Sequence, residues 1–345
     1  MMKKLNVIIG LAVFMLSICS RSQASNLSFP ASLANGFMGM WTLSIEGGGV
    51  GWLEVHEKEG YLDANLLWIG GSVLPVSHVY YLDENTLVVT RTQEVMRSEK
   101  GADLERKHII THTLEIKRTG DKLQGTYMSP KRNGQGRSEM SFTGVRLPPV
   151  PNAPDLTKVK YGKAIKLFSG KDLSGWKLIN PEQKNGFKVV KGTLVNAPVQ
   201  EEGKHVSYGN LRTEAVFEDF NLTLEVNVPT GNNSGVYLRG MYEIQVFDSY
   251  GKDLDSHNMG AVYSRIKPTV AAEKPAGEWQ SLDITLCDRH ITVLLNGKKI
   301  IDNQPVYGPT GGAIIADVFS PGPIYLQGDH GDVSYRNIML KPIVK

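Results

Sequence analysis

The chain has 345 residues, 38 basic and 35 acidic, with a formal charge of +3 and two cysteines. The first 24 residues hold Lys3, Lys4 and Arg21 and no acid, so the rest of the chain is formally neutral. That balance excludes the electrostatic footprint of a nucleic-acid or anionic-membrane binder. Beyond those residues only Cys287 remains, so no internal disulfide forms and the fold must rest on burial.

Met1-Met-Lys-Lys and the apolar run from Val7 to Ile18 read as a secretory signal, with Ser22-Gln23-Ala24 as the small-x-small cleavage site. The run is too short for a membrane span. Cys19 stands where a lipoprotein cysteine would, but bulky Ile18 precedes it. Cleavage after Ala24 is therefore expected, giving a periplasmic or secreted protein. The remaining length predicts two domains, over residues 25–147 and 161–345, joined by a linker at 148–160.

In the first domain, strands are predicted at Trp52 to Val55, Tyr61 to Leu67, Thr86 to Arg91, His108 to Lys117, Lys122 to Tyr127 and Met140 to Val145. Gly-, Asn- and Asp-containing turns separate them, and no helical period appears. Meandering strands at this density close most easily into a small barrel or sandwich. Gly39-Met-Trp41 resembles the Gly-x-Trp of lipocalin-like barrels. The charge-rich segment from Thr92 to Lys107 is expected to be a mobile loop. Leu147-Pro-Pro-Val-Pro-Asn-Ala-Pro154 is stiff, uncharged and extended, and reads as the interdomain linker.

The second domain is also all-β. Leu222, Leu224, Val226 and Val228 alternate inward, as do Leu282, Ile284 and Leu286, and then Ile291, Val293 and Leu295. Asn296-Gly297 marks a tight hairpin. Many antiparallel strands with one apolar face each imply two stacked sheets. In Gly231 to Tyr250, period-two alternation buries Val236, Leu238, Ile244 and Val246. It leaves Tyr237, Arg239, Glu243 and Gln245 together on the opposite face. Such a face is either a small polar-ligand site or a solvated sheet face with Arg and Glu paired across strands.

Several ordered motifs then carry a resemblance. They are Leu167-Phe-Ser-Gly-Lys-Asp-Leu-Ser-Gly-Trp176, Lys191-Gly-Thr-Leu-Val195, Asp219-Phe-Asn-Leu, Asn233-Ser-Gly-Val-Tyr-Leu-Arg239 and Tyr242-Glu-Ile-Gln-Val-Phe-Asp-Ser249. Gly260-Ala-Val-Tyr263, Lys274-Pro-Ala-Gly-Glu-Trp279 and Leu326-Gln-Gly-Asp-His-Gly to Arg336-Asn-Ile338 complete the order. The stretch from Lys163 to Pro342 resembles the 3-keto-disaccharide hydrolase family. It departs in having Phe187 where the family has Trp, and one extra residue in Gln327-Gly-Asp-His330.

The resemblance implies a concanavalin-like jelly-roll β-sandwich and a 3-keto-glycoside substrate, oxidised at C3 by an upstream sugar 3-dehydrogenase. A C3 ketone acidifies the C2 proton, so a modest base can form an enediolate and expel the C1 substituent. Hydrolysis, or elimination followed by hydration, gives the same net result. The enzyme needs a base for C2–H, an acid for the leaving oxygen and donors for the enediolate oxygen. Glu243 is the expected acid/base and Arg239 the oxyanion donor. Gln245, Tyr237, Asp248, Tyr263, Lys274 and Gln327 are expected to bind substrate.

His330 in its Gly-Asp-His-Gly-Asp turn reads as a proton carrier, as a surface residue, or, with Asp329 and Asp332, as a ligand of a divalent metal. Lys274 and Glu278 read as a loop rim, Trp279 as core, and His257 as a weaker candidate. No cofactor is otherwise called for. Two other function classes stay open. Glu243-x-Gln-x-x-Asp248 mirrors the E-x-D-x-x-E strand of concanavalin-like retaining glycanases. A non-catalytic carbohydrate-binding protein would share the fold.

Overall fold

The computed structural model describes residues 36–96, 107–200 and 206–344. The expected signal segment, with Cys19, lies outside the described residues. Among the described residues every regular element is a β-strand, and no helix is long and apolar enough to cross a membrane.

The first nine strands are β1 (Gly39–Ile45), β2 (Val50–Lys58), β3 (Tyr61–Trp68), β4 (Gly70–Pro75), β5 (His78–Asp83), β6 (Thr86–Met96), β7 (Lys107–Thr119), β8 (Lys122–Pro130) and β9 (Arg137–Arg146). They form one antiparallel sheet in the order β4-β3-β2-β1-β9-β8-β7-β6-β5. The two strands at its ends are consecutive in the chain. Their link is tied to both sides, Val76 N–H donating to Ala64 O at 3.0 Å and Ser77 N–H to Thr90 O at 2.9 Å. The sheet therefore curls into a nearly closed barrel. Inward-pointing Leu43, Leu53, Leu66, Leu87, Leu114 and Phe142 fill it. Trp41 closes one end: its indole donates to Phe37 O at 2.8 Å, and the Arg146 guanidinium stacks 4.1 Å over its ring.

Two features differ from the expected pattern. Thr92 to Met96 are strand rather than loop, because β6 runs to Met96 and pairs with β7 from Lys107 onward. Cross-strand partners such as Glu94 and Lys107, 2.9 Å apart, hold this polar ribbon. Residues 97–106 lie outside the described residues. The strands β4 and β5 have no counterpart in the predicted set, because Gly70-Gly71 and Pro75 read as turn signals.

After β9 the chain continues as β10 (Lys160–Tyr161), β11 (Ile165–Lys166), β12 (Trp176–Leu178), β13 (Phe187–Val190), β14 (Thr193–Asn196), β15 (Leu211–Thr213) and β16 (Phe220–Asn227). There follow β17 (Asn233–Leu238), β18 (Tyr242–Phe247), β19 (Trp279–Cys287), β20 (His290–Leu295), β21 (Lys298–Pro305), β22 (Tyr325–Leu326) and β23 (Val333–Val344). One sheet has the order β13-β14-β23-β16-β19-β20-β21, with β10 and β11 also on β23; the other is β12-β15-β22-β17-β18.

The inward residues of β16, β19 and β20 meet Val236, Leu238, Ile244, Val246 and Leu326 in one core, giving a β-sandwich. Each large apolar side chain fully buried there contributes about 1.5–3 kcal/mol of transfer free energy. Cys287 is buried and in no disulfide.

The barrel is fused to this core. Trp52, Leu67 and Leu147 belong to the same apolar cluster as the sandwich interior. The Trp52 indole donates to Tyr307 O at 2.9 Å, and the Arg265 guanidinium lies 4.1 Å over its ring. The proline-rich stretch is laid onto the sandwich as well, with Arg289 donating to Pro148 O and Asn303 to Pro154 O. Only one face of the smaller sheet is consumed by the core. Its other face is available for chemistry.

Candidate active site

Three strands of the smaller sheet put their outward residues in a row. Tyr237 on β17 sits opposite both Glu243 on β18 and Tyr325 on β22. The rings of Tyr237 and Tyr325 stack at 3.8 Å. One step along, Gln245 pairs with Gly235. Glycine is needed there because a Cβ at Gly235 would lie 2.2 Å from Glu243 Oε1. The carboxyl leans across the strand into that space.

These side chains floor a pocket of about 270 Å3. Asn210, Asn233, Tyr263, Gln327, Asp329 and His330 stand around it, with the backbone of Gly311-Gly312 and, from the barrel, Gly70-Gly71. A larger concavity of about 710 Å3 lies on the outer face of β1, β9, β8 and β7. Its carboxylates, Glu46, Glu115 and Glu139, are all exposed. The buried carboxyl is in the smaller pocket.

Glu243 is 4% exposed. Loss of water pushes its carboxyl up to about 8, against an opposing hydrogen bond from Tyr237. Its backbone N–H donates to Thr310 Oγ1 at 2.9 Å, which fixes the strand against the segment before Gly311. The Tyr237 hydroxyl stands 2.8 Å from both Glu243 Oε2 and Gly311 O. One hydroxyl proton serves one of them at a time. When Glu243 is ionised, Tyr237 donates to it. When Glu243 is protonated, the acid donates to Tyr237 and the phenol proton turns to Gly311 O. Burial pushes the Tyr237 phenol well above its ordinary value, so it stays protonated in both states.

His330 sits at the rim with its ring half-exposed, its Nδ1 2.7 Å from Asp329 Oδ1. That bond raises the imidazole pKa and favours the charged form. The loop that carries it is tethered by Asn196, whose amide donates to the carbonyls of Gly328 and Gly331. Asn233 Oδ1 and Gln327 Oε1 are buried with no hydrogen-bond partner among the described residues. Two orphaned acceptors at one pocket suit a ligand rich in hydroxyl donors.

Of the residues named from the sequence, the pocket brings together Glu243, Tyr237, Gln245, Tyr263, Gln327 and His330, but not Arg239, Asp248 or Lys274. Arg239 follows the last residue of β17, in a turn where it has φ 54° and Gly240 has φ 63°. The strand alternation ends there, and the buried guanidinium donates to Val318 O at 2.8 Å and Ser320 O at 2.6 Å. Asp248 lies past the end of β18, where its carboxylate accepts the Gly231 N–H at 3.0 Å. It therefore does not form a carboxylate pair with Glu243. Lys274 is exposed and donates to Trp279 O at 3.1 Å.

Trp279 is half-buried beneath Arg336, and His257 lies behind Tyr263, bonded to Ser72 Oγ at 2.8 Å. Asp329, His330 and Asp332 are not gathered as a metal triad. Among the described residues the one grouping of three ligand atoms is Asp219, Cys287 and Asp288, none of which lines the pocket. Asn210, Tyr325 and the Gly311-Gly312 backbone went unassigned in the sequence reading. Tyr325 was accessible to it, two residues before Gln327 on one face of a strand.

Residues 163–341 match the family described as the 3-keto-alpha-glucoside-1,2-lyase-like domain. No curated protein matches the chain. Two crystal structures from Parabacteroides distasonis ATCC 8503, each described as a "putative glycosyl hydrolase", are similar to it. One is 21% identical with a TM-score of 0.42, covering 52% of this chain and 94% of that one. The other is 26% identical with a TM-score of 0.40, covering 52% and 100%. A carbohydrate-binding module from Bacillus subtilis aligns at 14% identity and a TM-score of 0.33, covering 50% and 97%.

Proposed function

The chain belongs to the 3-keto-alpha-glucoside-1,2-lyase-like family, and on that premise we propose that it is an exported carbohydrate-active enzyme that cleaves 3-keto-glycosides. The observation that carries this reading is the buried Glu243 carboxyl, held near 8 beside an adaptable Tyr237 hydroxyl in a polar pocket. A C2 proton next to a ketone is acidic enough for such a base, whereas an unoxidised sugar offers no comparable proton.

Ionised Glu243 takes the C2 proton, and the C–H electrons form the enediolate. They then re-form as the C1–C2 double bond while the C1–O bond breaks, its electron pair leaving with the oxygen. His330, favoured as the imidazolium by Asp329, gives that oxygen its proton. Water added across C1 and C2 yields the free 3-keto sugar. The amides of Asn210, Asn233, Gln245 and Gln327 line the pocket and serve the substrate hydroxyls and the enediolate oxygen, the role first expected of Arg239. On this reading an upstream sugar 3-dehydrogenase supplies the substrate, and the expected signal segment supports a reaction in the periplasm or outside the cell.

Mass-spectrometric analysis of products from a 3-keto-glucoside and from its unoxidised parent tests the proposal. Release of the aglycone from the ketone alone is the expected result. Equal cleavage of the parent would mark a direct glycosidase, and binding of both without turnover a carbohydrate-binding protein; either result overturns it.

A further inference from the structure

The pocket has one wall that the sandwich does not supply. Gly70 and Gly71, at the start of β4, come from the barrel and line the cavity together with the sandwich's own residues. The contact is intimate: a Cβ at Gly311 would lie 2.1 Å from Gly71 O. It is also bonded on both sides of the pair. Gly312 N–H donates to Ile69 O at 3.0 Å, Val73 N–H to Ser264 Oγ at 3.0 Å, and Ser72 Oγ meets His257 Nε2 at 2.8 Å. The same segment of the sandwich supplies Gly311 O and Gly312 O, which accept from Tyr237 and Tyr325. Barrel edge, strap and pocket floor are therefore one hydrogen-bonded unit.

This placement has a consequence for substrate shape. A sheet face left open at both ends would let a glycan run across it. Here the loop with Asp329 and His330, the strap with Gly311-Gly312 and the barrel backbone at Gly70-Gly71 all line the pocket. The volume of about 270 Å3 falls just below the roughly 300–1,000 Å3 of sites for drug-sized ligands, which is room for a sugar ring rather than a chain. We propose that the Gly70–Gly71 corner of the barrel is a specificity wall: it blocks a glycan from continuing beyond the oxidised ring, so the enzyme takes a 3-keto sugar only at a chain end. The leaving group projects through the mouth, and the far side of the ring abuts the barrel. This rests on the 3-keto-glycoside reading above.

The test compares kcat/KM of the full-length protein on a terminal 3-keto-glucoside and on the same compound carrying a further glucosyl group at O4 of the oxidised ring. Loss of about 100-fold or more on the extended substrate is expected. The same assays on Gly70→Leu probe the wall directly. Gly70 has no positive φ, and a Cβ there meets nothing within 4 Å, so a side chain fits without backbone strain. It should raise KM for the terminal substrate about 10-fold by narrowing the pocket, with an unchanged melting temperature. Equal turnover of extended and terminal substrates, or a Gly70→Leu enzyme with wild-type constants, overturns the wall while leaving the function intact. Absence of turnover by the wild-type protein on every 3-keto substrate overturns the function and the wall together.

Discussion

Replacing Glu243 by Gln should make the protein's stability less dependent on pH, in a direction set by burial. An ordinary glutamate titrates near 4.5, and here the folded protein holds the carboxyl up to about 8. Between those values the folded state keeps a proton that the unfolded chain has released. Stability of the wild-type protein therefore falls as pH rises, because the slope follows protons bound when unfolded minus protons bound when folded. The contribution is fully present below pH 4.5, declines through the window to about 8 and is flat above it. A displacement of about 3.5 pH units at about 1.4 kcal/mol per unit amounts to about 5 kcal/mol. Relaxation around the charge makes this an upper bound.

The amide introduced by Glu243→Gln has no proton to lose in this range and retains a shape that can bond Tyr237. Urea denaturation of both proteins at intervals from pH 4.5 to 9 checks this. The difference between the two chains cancels the titrating groups that do not couple to Glu243, and leaves the carboxyl together with its electrostatic partner His330. The variant should gain on wild type steadily up to about pH 8, then run parallel. A difference that stays flat across the whole range would refute the buried, raised carboxyl. In kinetics, wild-type kcat on a 3-keto-glucoside should rise with pH toward about 8 as the base ionises. The variant should lose roughly 10²- to 10⁴-fold in kcat with little change in KM.

Tyr237→Phe removes the hydroxyl whose bond holds the Glu243 carboxyl down against burial; the rise of kcat with pH should shift to higher pH, and an unshifted profile would count against the pairing. Arg239→Met leaves the Val318 and Ser320 carbonyls without their charged donor, which should cost about 2–4 kcal/mol in denaturation while kcat stays near wild type. A large loss of kcat in that variant at temperatures where it remains folded would restore Arg239 to the reaction. Trp52→Ala should cost about 3–5 kcal/mol, because a buried indole shared with the sandwich core is lost. It should also lower kcat, since Tyr307 O and the strap that reaches Gly311 lose their anchor; unaltered kcat would show that the strap holds itself.

The inward and outward assignment of β16 to β20 was legible in the chain, because each strand is extended and buried on one side, and alternation then has a single solution. For the same reason Tyr237, Glu243 and Gln245 were recognisable as one face, and the ordered motifs pointed to the family. Alternation is a local rule, however, and it fails where the backbone leaves the extended region. Arg239 was placed on the open face by counting twos, but the chain turns left-handed there, and the guanidinium goes to backbone carbonyls instead. Asp248 was placed beside Glu243 by the likeness to the glycanase strand, but β18 ends at Phe247 and the carboxylate accepts the Gly231 N–H instead.

Nothing in the local pattern could bring Gly70-Gly71 to a pocket whose acid is residue 243. Those glycines carry no side chain, and their role comes from where barrel closure puts a backbone edge. Nor could composition set the Glu243 carboxyl near 8, since the same residue on an open sheet face would titrate as any glutamate. Residue type and spacing determined which groups could do chemistry. Only tertiary packing, by removing water from one carboxyl and bringing a distant sheet's backbone to the pocket, decided the protonation state and the lining of the pocket.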